Sequence, residues 1–181
     1  MESEKVILVN EQDDELGLME KLQAHETGVL HRAVSVFIFN KKGELLLQKR
    51  ALSKYHGAKL WTNTCCTHPR EAETNENCAH RRLKEEMGFD CDLEERFSFI
   101  YKAEVENGLI EHEFDHVFFG IYDGKINPNP AEVEDTTFTT VQAVVKDTEN
   151  HPEKYTAWFR IILKKHINHL IGMEHRSTVG V

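Results

Sequence analysis

The chain has few cysteines for its length, four among 181 residues. A disulfide framework would be denser and is typical of shorter secreted chains, so we expect free thiols in a reducing compartment. The sequence also lacks an apolar run of membrane-spanning length, and its first residues have neither the basic start nor the apolar core of a signal sequence. These absences predict a soluble, cytoplasmic protein with no membrane partner.

Positive charge is also scarce, because 22 Lys and Arg residues face 31 Asp and Glu residues and give a net charge of −9. This balance argues against non-specific binding to nucleic acid. It is compatible with a small anionic ligand, provided that a local basic pocket receives it. The chain shows no repeat and no linker, so we expect one domain over residues 1–181. The sequence leaves the oligomeric state open.

Apolar runs and turn residues predict strands, loops and two helices. Strands are predicted at 6–10, at 33–40 and 43–50 as one hairpin, and at 97–105 and 109–124 as another. Loops are predicted at 20–31, 51–61 and 127–135, and residues 137–147 have a weaker, extended or mixed pattern. One helix should follow an N-cap at Thr74 or Asn75 and end at Gly88, and a last helix should begin at His151-Pro152. The combination favours an α+β domain with α/β/α layers.

Two adjacent cysteines, Cys65 and Cys66, stand just before His68-Pro69 in the stretch WTNTCCTHP. They could form a disulfide, belong to a zinc site or include a reactive thiol, and spacing alone leaves these readings open. Adjacent cysteines suit a closed zinc site poorly, because its ligand pairs are usually separated by about two to four residues. In an extended segment neighbouring side chains face opposite ways, so one pocket can use only one of the two thiols.

Charged pairs further along the chain have two interpretations each. Glu111 and Glu113 would share one face of a strand, where they either face solvent or hold a cation between them. Arg82 and Glu86 would share one face of the predicted helix, as a surface ion pair or as part of a magnesium–phosphate site. The histidines, eleven in all, show no metal-site spacing of their own.

The segment from Thr67 to Phe89 resembles the Nudix box, G-x5-E-x7-R-E-U-x-E-E-x-G-U, where U is a bulky apolar residue. Thr67 replaces the first glycine, and Arg82 replaces a glutamate that helps to hold metal in Nudix hydrolases, which argues against pyrophosphate hydrolysis. Together with WTNTCC-x-HP and the E-x-E pair, this pattern resembles the type 1 isopentenyl diphosphate isomerases over most of the chain. A Nudix hydrolase, a non-catalytic ligand sensor and a structural zinc protein are the alternatives.

The resemblance implies a Nudix-like α/β/α fold with mixed β-sheets and flanking helices. It also implies an isomerase of isoprenoid biosynthesis that interconverts isopentenyl and dimethylallyl diphosphate by a 1,3-proton shift. A cysteine and a glutamate would act on opposite faces of the substrate, and the resemblance leaves open which of them gives the proton. The matching catalytic positions are Cys66, Glu113 and Tyr101.

The same resemblance implies two cation sites and a substrate-binding set. A divalent metal, which could be manganese, zinc or magnesium, would be held by His25, His31, His68, Glu111 and Glu113. A magnesium ion bound with the substrate diphosphate would meet Glu86. The implied substrate-binding residues are Lys21, Arg50, Lys54, Arg82 and Trp158. Surface charge for the basic residues and core packing for Trp158 are the alternatives, because Trp158 lies on the apolar face of the last predicted helix.

Overall fold

A computed structural model describes residues 4–176, with side chains through Met173. Nine strands of this range join in one mixed sheet. The strands are β1 (Lys5–Val9), β2 (Glu15–Glu20), β3 (His31–Phe39), β4 (Leu45–Arg50), β5 (Trp61–Thr62), β6 (Cys65–Thr67), β7 (Leu93–Glu104), β8 (Ile110–Ile121) and β9 (Val133–Thr139). The α-helices are α1 (Lys21–Thr27), α2 (Asn75–Met87), α3 (Val141–Asn150), α4 (Ala157–Lys165) and α5 (Ile167–Arg176).

Strand β3 is the centre of the sheet. It runs parallel to β8 from the His31–Glu113 pair to the Phe39–Ile121 pair, and antiparallel to β6 from the Val34–Thr67 pair to the Val36–Cys65 pair. Strands β7 and β8 form the predicted hairpin, and Tyr101 pairs with Glu113 across it. The sheet therefore brings distant parts of the sequence to neighbouring positions around β3.

Alternate residues of β3 contact different helices, as the period of a strand requires. Phe37 and Phe39 pack in a cluster with α3, α4 and α5, whereas Val36 and Ile38 pack in a second cluster with α2. Helices thus cover both faces of the sheet. The predicted α/β/α arrangement of a mixed sheet with flanking helices is confirmed.

Helix α2 follows its predicted capping signals. The Thr74 hydroxyl accepts a hydrogen bond from the backbone N–H of Asn77 at 3.1 Å. Gly88 ends the helix with φ of 73°, a left-handed conformation that favours glycine. A side chain at Gly88 would also collide with the backbone carbonyl of Asn127. The glycine therefore allows the loop that follows β8 to lie against the end of α2.

The predictions were wrong where secondary structure lacks a strong local signal. Residues 21–27 form α1 rather than a loop, in a helix too short to show an apolar period. The segment 137–147 divides between the end of β9 and most of α3, and β9 already begins at Val133 inside a predicted loop. The last predicted helix is two helices, α4 and α5, that meet at His166. No helix in the described part of the chain is long and apolar enough to cross a membrane.

Candidate active site

A cavity of about 380 Å³ collects the residues predicted for catalysis, metal binding and substrate binding. Its size falls within the usual range for small-molecule sites, roughly 300–1,000 Å³. Of the predicted residues, the cavity is lined by Lys21, His25, Arg50, Lys54, Cys66, His68, Arg82, Tyr101, Glu111, Glu113 and Trp158. His31 and Glu86 lie behind this surface and contact residues that line it.

Three histidines from separate elements converge on one carboxylate oxygen. The Nε2 atoms of His25, His31 and His68 lie 3.9, 3.6 and 3.0 Å from Glu113 Oε1. His25 comes from α1, His31 begins β3, and His68 follows β6. All four side chains are buried, so the group lies within the protein rather than on a solvated surface.

Two histidines of this group, His25 and His31, are oriented as metal ligands usually are. The Nδ1 atoms of His25 and His31 lie 2.7 and 2.9 Å from backbone carbonyl oxygens, to which they donate. Their Nε2 lone pairs therefore face Glu113, and His31 Nε2 is buried without a hydrogen-bond partner. Histidines that bind metals commonly donate their other N–H to a carbonyl in this way. The donor set of His25, His31, His68 and Glu113 could hold a divalent cation.

Glu111, the remaining residue predicted to bind the metal, lies in an adjoining group with His25 and His56. Its Oε1 is 3.6 Å from His56 Nε2, and its Oε2 is 3.2 Å from the Tyr101 hydroxyl. The same hydroxyl donates to Glu113 Oε2 at 2.7 Å. Tyr101 therefore links the two carboxylates that β8 presents on one face, as the E-x-E spacing predicts.

The two carboxylates have opposite electrostatic environments in the absence of a cation. Burial raises the pKa of Glu111 well above its usual value, and the charge of Glu113 adds to this effect. Burial also disfavours the charge on Glu113, but the neighbouring imidazoles of His31 and His68 outweigh it and hold its pKa well below the usual value. Glu113 is thus the carboxylate that the histidines keep ionised.

The Cys66 thiol projects into the cavity and Cys65 does not, as expected for neighbours in a strand. Cys66 Sγ lies 3.2 Å from Asn63 Oδ1 and 3.4 Å from Ser35 Oγ. Ser35 donates its own proton to Asp115 Oδ2 at 2.7 Å, so it is an acceptor toward the thiol. Burial raises the pKa of Cys66 to about 12, and the charge of Asp115 contributes to the rise. The thiol therefore keeps its proton at neutral pH.

Trp158 from α4 is tied to the same amide as the thiol. Its indole Nε1–H donates to Asn63 Oδ1 at 3.2 Å. The Asn63 amide is itself fixed, because its Nδ2 donates to the carbonyls of Val36 and Cys65. The guanidinium of Arg50 lies 5.2 Å from the centre of the Trp158 ring, within cation–π range. Trp158 thus belongs both to the apolar core and to the cavity wall.

At the other end of the cavity, two cations and two carboxylates alternate in a ring. Arg82 Nη2 lies 2.5 Å from Glu86 Oε1 and 2.7 Å from Glu132 Oε2. Lys54 Nζ lies 3.5 Å from Glu86 Oε1 and also contacts Glu132 Oε2. We name these four residues the charge ring. Lys21 stands apart, paired with Glu4 at 3.1 Å.

Several residues of the site carry no recognisable sequence signal. Ser35, Asn63 and Asp115 surround the thiol, His56 meets Glu111, and Glu132 completes the charge ring. Only alternation along a strand, two residues from Glu113, could have drawn attention to Asp115. The others reach the site through tertiary contacts that their neighbours in sequence do not indicate.

Comparison with known proteins agrees with this fold. The NUDIX domain family matches residues 29–159. A crystal structure of DR0079 from Deinococcus radiodurans superposes with a TM-score of 0.75, covering 90% of this chain and 98% of that chain at 18% identity. The fold therefore defines a NUDIX domain protein.

Relatives of higher sequence identity identify the family within the NUDIX domain proteins. Isopentenyl-diphosphate Delta-isomerase 2 of Aromatoleum aromaticum is 47% identical over 165 residues, which cover 91% of this chain and 87% of the relative. The isopentenyl-diphosphate Delta-isomerase of Serratia proteamaculans is 49% identical over 161 residues, covering 89% and 90% respectively. The chain belongs to the isopentenyl-diphosphate Delta-isomerase family.

Proposed function

We propose that this protein interconverts isopentenyl diphosphate and dimethylallyl diphosphate by a 1,3-proton shift, as an isomerase of isoprenoid biosynthesis. The names of its relatives support the reaction. The observation that carries the proposal is one cavity lined both by a thiol, Cys66, and by a carboxylate, Glu113, that adjoins three histidines. Simple hydrolysis of a diphosphate has no use for such a pair.

The reaction needs two proton-handling groups. One proton is added to the terminal alkene carbon and another leaves the carbon next to the CH2–O group, so positive charge develops on the tertiary carbon between them. An alkene is a weak base, so the donor must be close and shielded from water. Cys66 and Glu113 lie on β6 and β8, which flank β3, and this supports placing the flat five-carbon unit between them.

Each group has partners suited to proton transfer. Tyr101 donates to Glu113 and can return a proton to it or pass one on. Ser35 and Asn63 offer acceptor oxygens to the Cys66 thiol and thereby orient its proton. Because the reaction is reversible, the thiol and the carboxylate exchange roles between its two directions.

The remaining predicted residues suit binding and charge stabilisation. A divalent cation bound by His25, His31, His68, Glu111 and Glu113, whether manganese, zinc or magnesium, would supply positive charge that holds the carboxylates in place. Trp158 faces the cavity and can stabilise developing positive charge by roughly 2 kcal/mol when water is excluded. The diphosphate would be bound by Lys21, Arg50, Lys54 and Arg82, with magnesium at Glu86.

Proton NMR of isopentenyl diphosphate incubated with the protein in D2O tests the proposal. We expect dimethylallyl diphosphate to appear with deuterium in a methyl group, because the added proton comes from a group that exchanges with solvent. The sample should contain magnesium together with manganese or zinc. Absence of isomerised product under these conditions would contradict the proposal, and release of phosphate without isomerisation would favour a hydrolase instead.

A further inference from the structure

Asp115 is a buried carboxyl group near the Cys66 thiol, and it has no part in the reaction as proposed so far. It lies on β8, two residues beyond Glu113, and only 1% of its surface is exposed. Its Oδ2 accepts a hydrogen bond from the Ser35 hydroxyl at 2.7 Å, and its Oδ1 is buried without a partner among the described residues. Ser35 Oγ is in turn 3.4 Å from Cys66 Sγ. A chain of contacts thus runs from Asp115 through one hydroxyl group to the thiol.

The other acceptor near the thiol, Asn63 Oδ1, already accepts two hydrogen bonds. They come from the Thr62 hydroxyl at 2.9 Å and from the Trp158 indole N–H at 3.2 Å. An amide oxygen has two lone pairs, so a bond from Cys66 Sγ, at 3.2 Å, would be its third. Among the neighbours that the structure describes for the thiol, Ser35 Oγ is therefore the acceptor with an open lone pair.

The partner that takes the hydroxyl proton of Ser35 determines what Ser35 offers to the thiol. A hydroxyl group has one proton and two lone pairs, so while Ser35 donates to Asp115 it can only accept from Cys66. Without Asp115, the same proton would be free to turn toward Cys66 Sγ. A sulfur that receives a hydrogen bond is favoured as the thiolate, whereas one that donates its proton is favoured as the thiol. Asp115 thus sets the direction of the hydrogen bond between Ser35 and Cys66.

We propose that Asp115 is a positioning residue for Cys66, because it holds the Ser35 hydroxyl as an acceptor and so directs the thiol proton toward β3. The proposal rests on the proposed isomerase function, in which Cys66 transfers a proton, and goes beyond it. Ser35 and Cys66 line the cavity, and Asp115 lies behind them. Asp115 therefore acts through Ser35 and not on the substrate. The thiol is oriented before the substrate enters, so the reaction does not have to orient it.

The S–H stretching band in the infrared spectrum of the full chain without substrate reports the hydrogen bond of the thiol. The band moves to lower frequency when a thiol donates, and difference spectra against Cys66→Ala and Cys65→Ala assign the two bands. Cys65 packs among apolar side chains and is the reference for an unbonded thiol. We expect the Cys66 band below the Cys65 band, and we expect it to rise toward that band in Asp115→Ala and in Ser35→Ala. Asp115→Asn should keep the low frequency, because its amide oxygen can still accept the Ser35 proton.

Isomerisation kinetics test whether Asp115 acts through Ser35. Asp115→Ala should lower kcat about tenfold with little change in KM, because it removes a hydrogen bond that orients the reacting thiol and leaves the diphosphate contacts in place. In a Ser35→Ala background the same substitution should cause no further loss, since the hydroxyl through which Asp115 acts is absent. A full additional loss would show that Asp115 acts by another route and would overturn the proposal.

Asp147→Asn is the matched control, because Asp147 Oδ2 also accepts from a buried hydroxyl at 2.7 Å, that of Tyr155, outside this cavity. It should leave both bands and kcat unchanged. A Cys66 band at the Cys65 frequency in the unmodified protein, or one that does not move in Asp115→Ala, would contradict the proposal. If Asp115→Ala does not fold, the band of the unmodified protein and its response to Ser35→Ala still decide. The spectra need no turnover, so a failure of the isomerase proposal would not affect them.

Discussion

The two faces of strand β6 have very different surroundings. Cys65 packs among apolar side chains such as Val34, Val36 and Leu83 beneath α2. Cys66, the next residue, meets hydroxyl and amide groups at the edge of a cavity lined by histidines and carboxylates. These two adjacent residues thus have different surroundings. The side chain of Cys65 packs in the core, and that of Cys66 contacts polar groups of the cavity.

The two sides also differ in whether their buried polar atoms have hydrogen-bond partners. The cluster around Cys65 consists of apolar and thiol side chains that pack against one another. On the Cys66 side, buried atoms such as His31 Nε2, His56 Nδ1 and Asp115 Oδ1 have no hydrogen-bond partner. Buried polar groups without partners are unfavourable, each by about 1–3 kcal/mol. His31 Nε2 belongs to the donor group that could hold a cation, so the cavity side has stability to gain from a bound cation.

The largest expected effect comes from exchanging the two thiols in turn for alanine. Cys66→Ala should lower kcat by roughly 10²–10⁴-fold, because it removes a group proposed to transfer a proton. Cys65→Ala should keep most of the turnover and lose only packing in the apolar cluster. The measurement is isomerisation kinetics, with thermal unfolding of both variants as the control for folding. Equal losses of activity would mean that the two faces are not functionally distinct.

Removal of the divalent cation should have the next largest effect. A cation present at about 1,000 times its dissociation constant stabilises the folded state by roughly 4 kcal/mol. Chelation should therefore lower the melting temperature by about 8–16 °C in a chain of this size. Thermal unfolding with and without chelator measures the shift. His31→Ala should abolish the shift and His80→Gln, which changes a histidine of α2 outside the cavity, should keep it. An unchanged melting temperature on chelation would argue against a cation on this side.

A smaller effect is expected on the free energy of unfolding of the chelated protein, which should fall as the pH falls. Burial lowers the pKa of His68 to about 4, and burial together with the charge of Arg50 lowers that of His56 to about 3. Both values lie below the usual 6.5, so the unfolded chain binds these protons first as the pH falls. Each ring then reduces the free energy of unfolding by up to about 1.4 kcal/mol per pH unit below pH 6.5.

Urea unfolding between pH 7 and pH 5 in the presence of chelator measures this slope. The His56→Gln variant isolates one ring, because it removes that contribution and leaves the others. A slope unchanged by the substitution would show that His56 becomes protonated equally in both states. The apolar residues around Cys65 do not titrate between pH 7 and pH 5, so they do not change the free energy of unfolding over this range.

Local signals in the sequence were sufficient where one segment determines its own structure. Thr74 and Gly88 mark the ends of α2 through capping, and the turn at Asn107-Gly108 joins β7 to β8. The opposite directions of Cys65 and Cys66 follow from the period of a strand. Helix α1 was missed because seven residues form a stable helix only through tertiary contacts, and β2 because it is a mostly exposed edge strand paired with β1.

The spacing of the histidines in the sequence does not predict that three of them meet in one site. His25, His31 and His68 meet because β3 pairs with both β6 and β8, which is a long-range property of the sheet. Only resemblance to a family singled out those residues among eleven histidines. His56 and Glu132 escaped that resemblance as well, because they come from loops whose positions depend on contacts with other loops, such as the bond from Ala51 N to Glu132 O.

The charge ring has a consequence for how the cavity receives an anion. Lys54 and Arg82 already have counter-ions, Glu86 and Glu132, within the protein. An entering anion therefore competes with these carboxylates for the two cations, so its binding has the character of an ion exchange. Such an exchange favours anions with several negative oxygens that engage both cations at once, and it discriminates against singly charged ions from the surrounding solution.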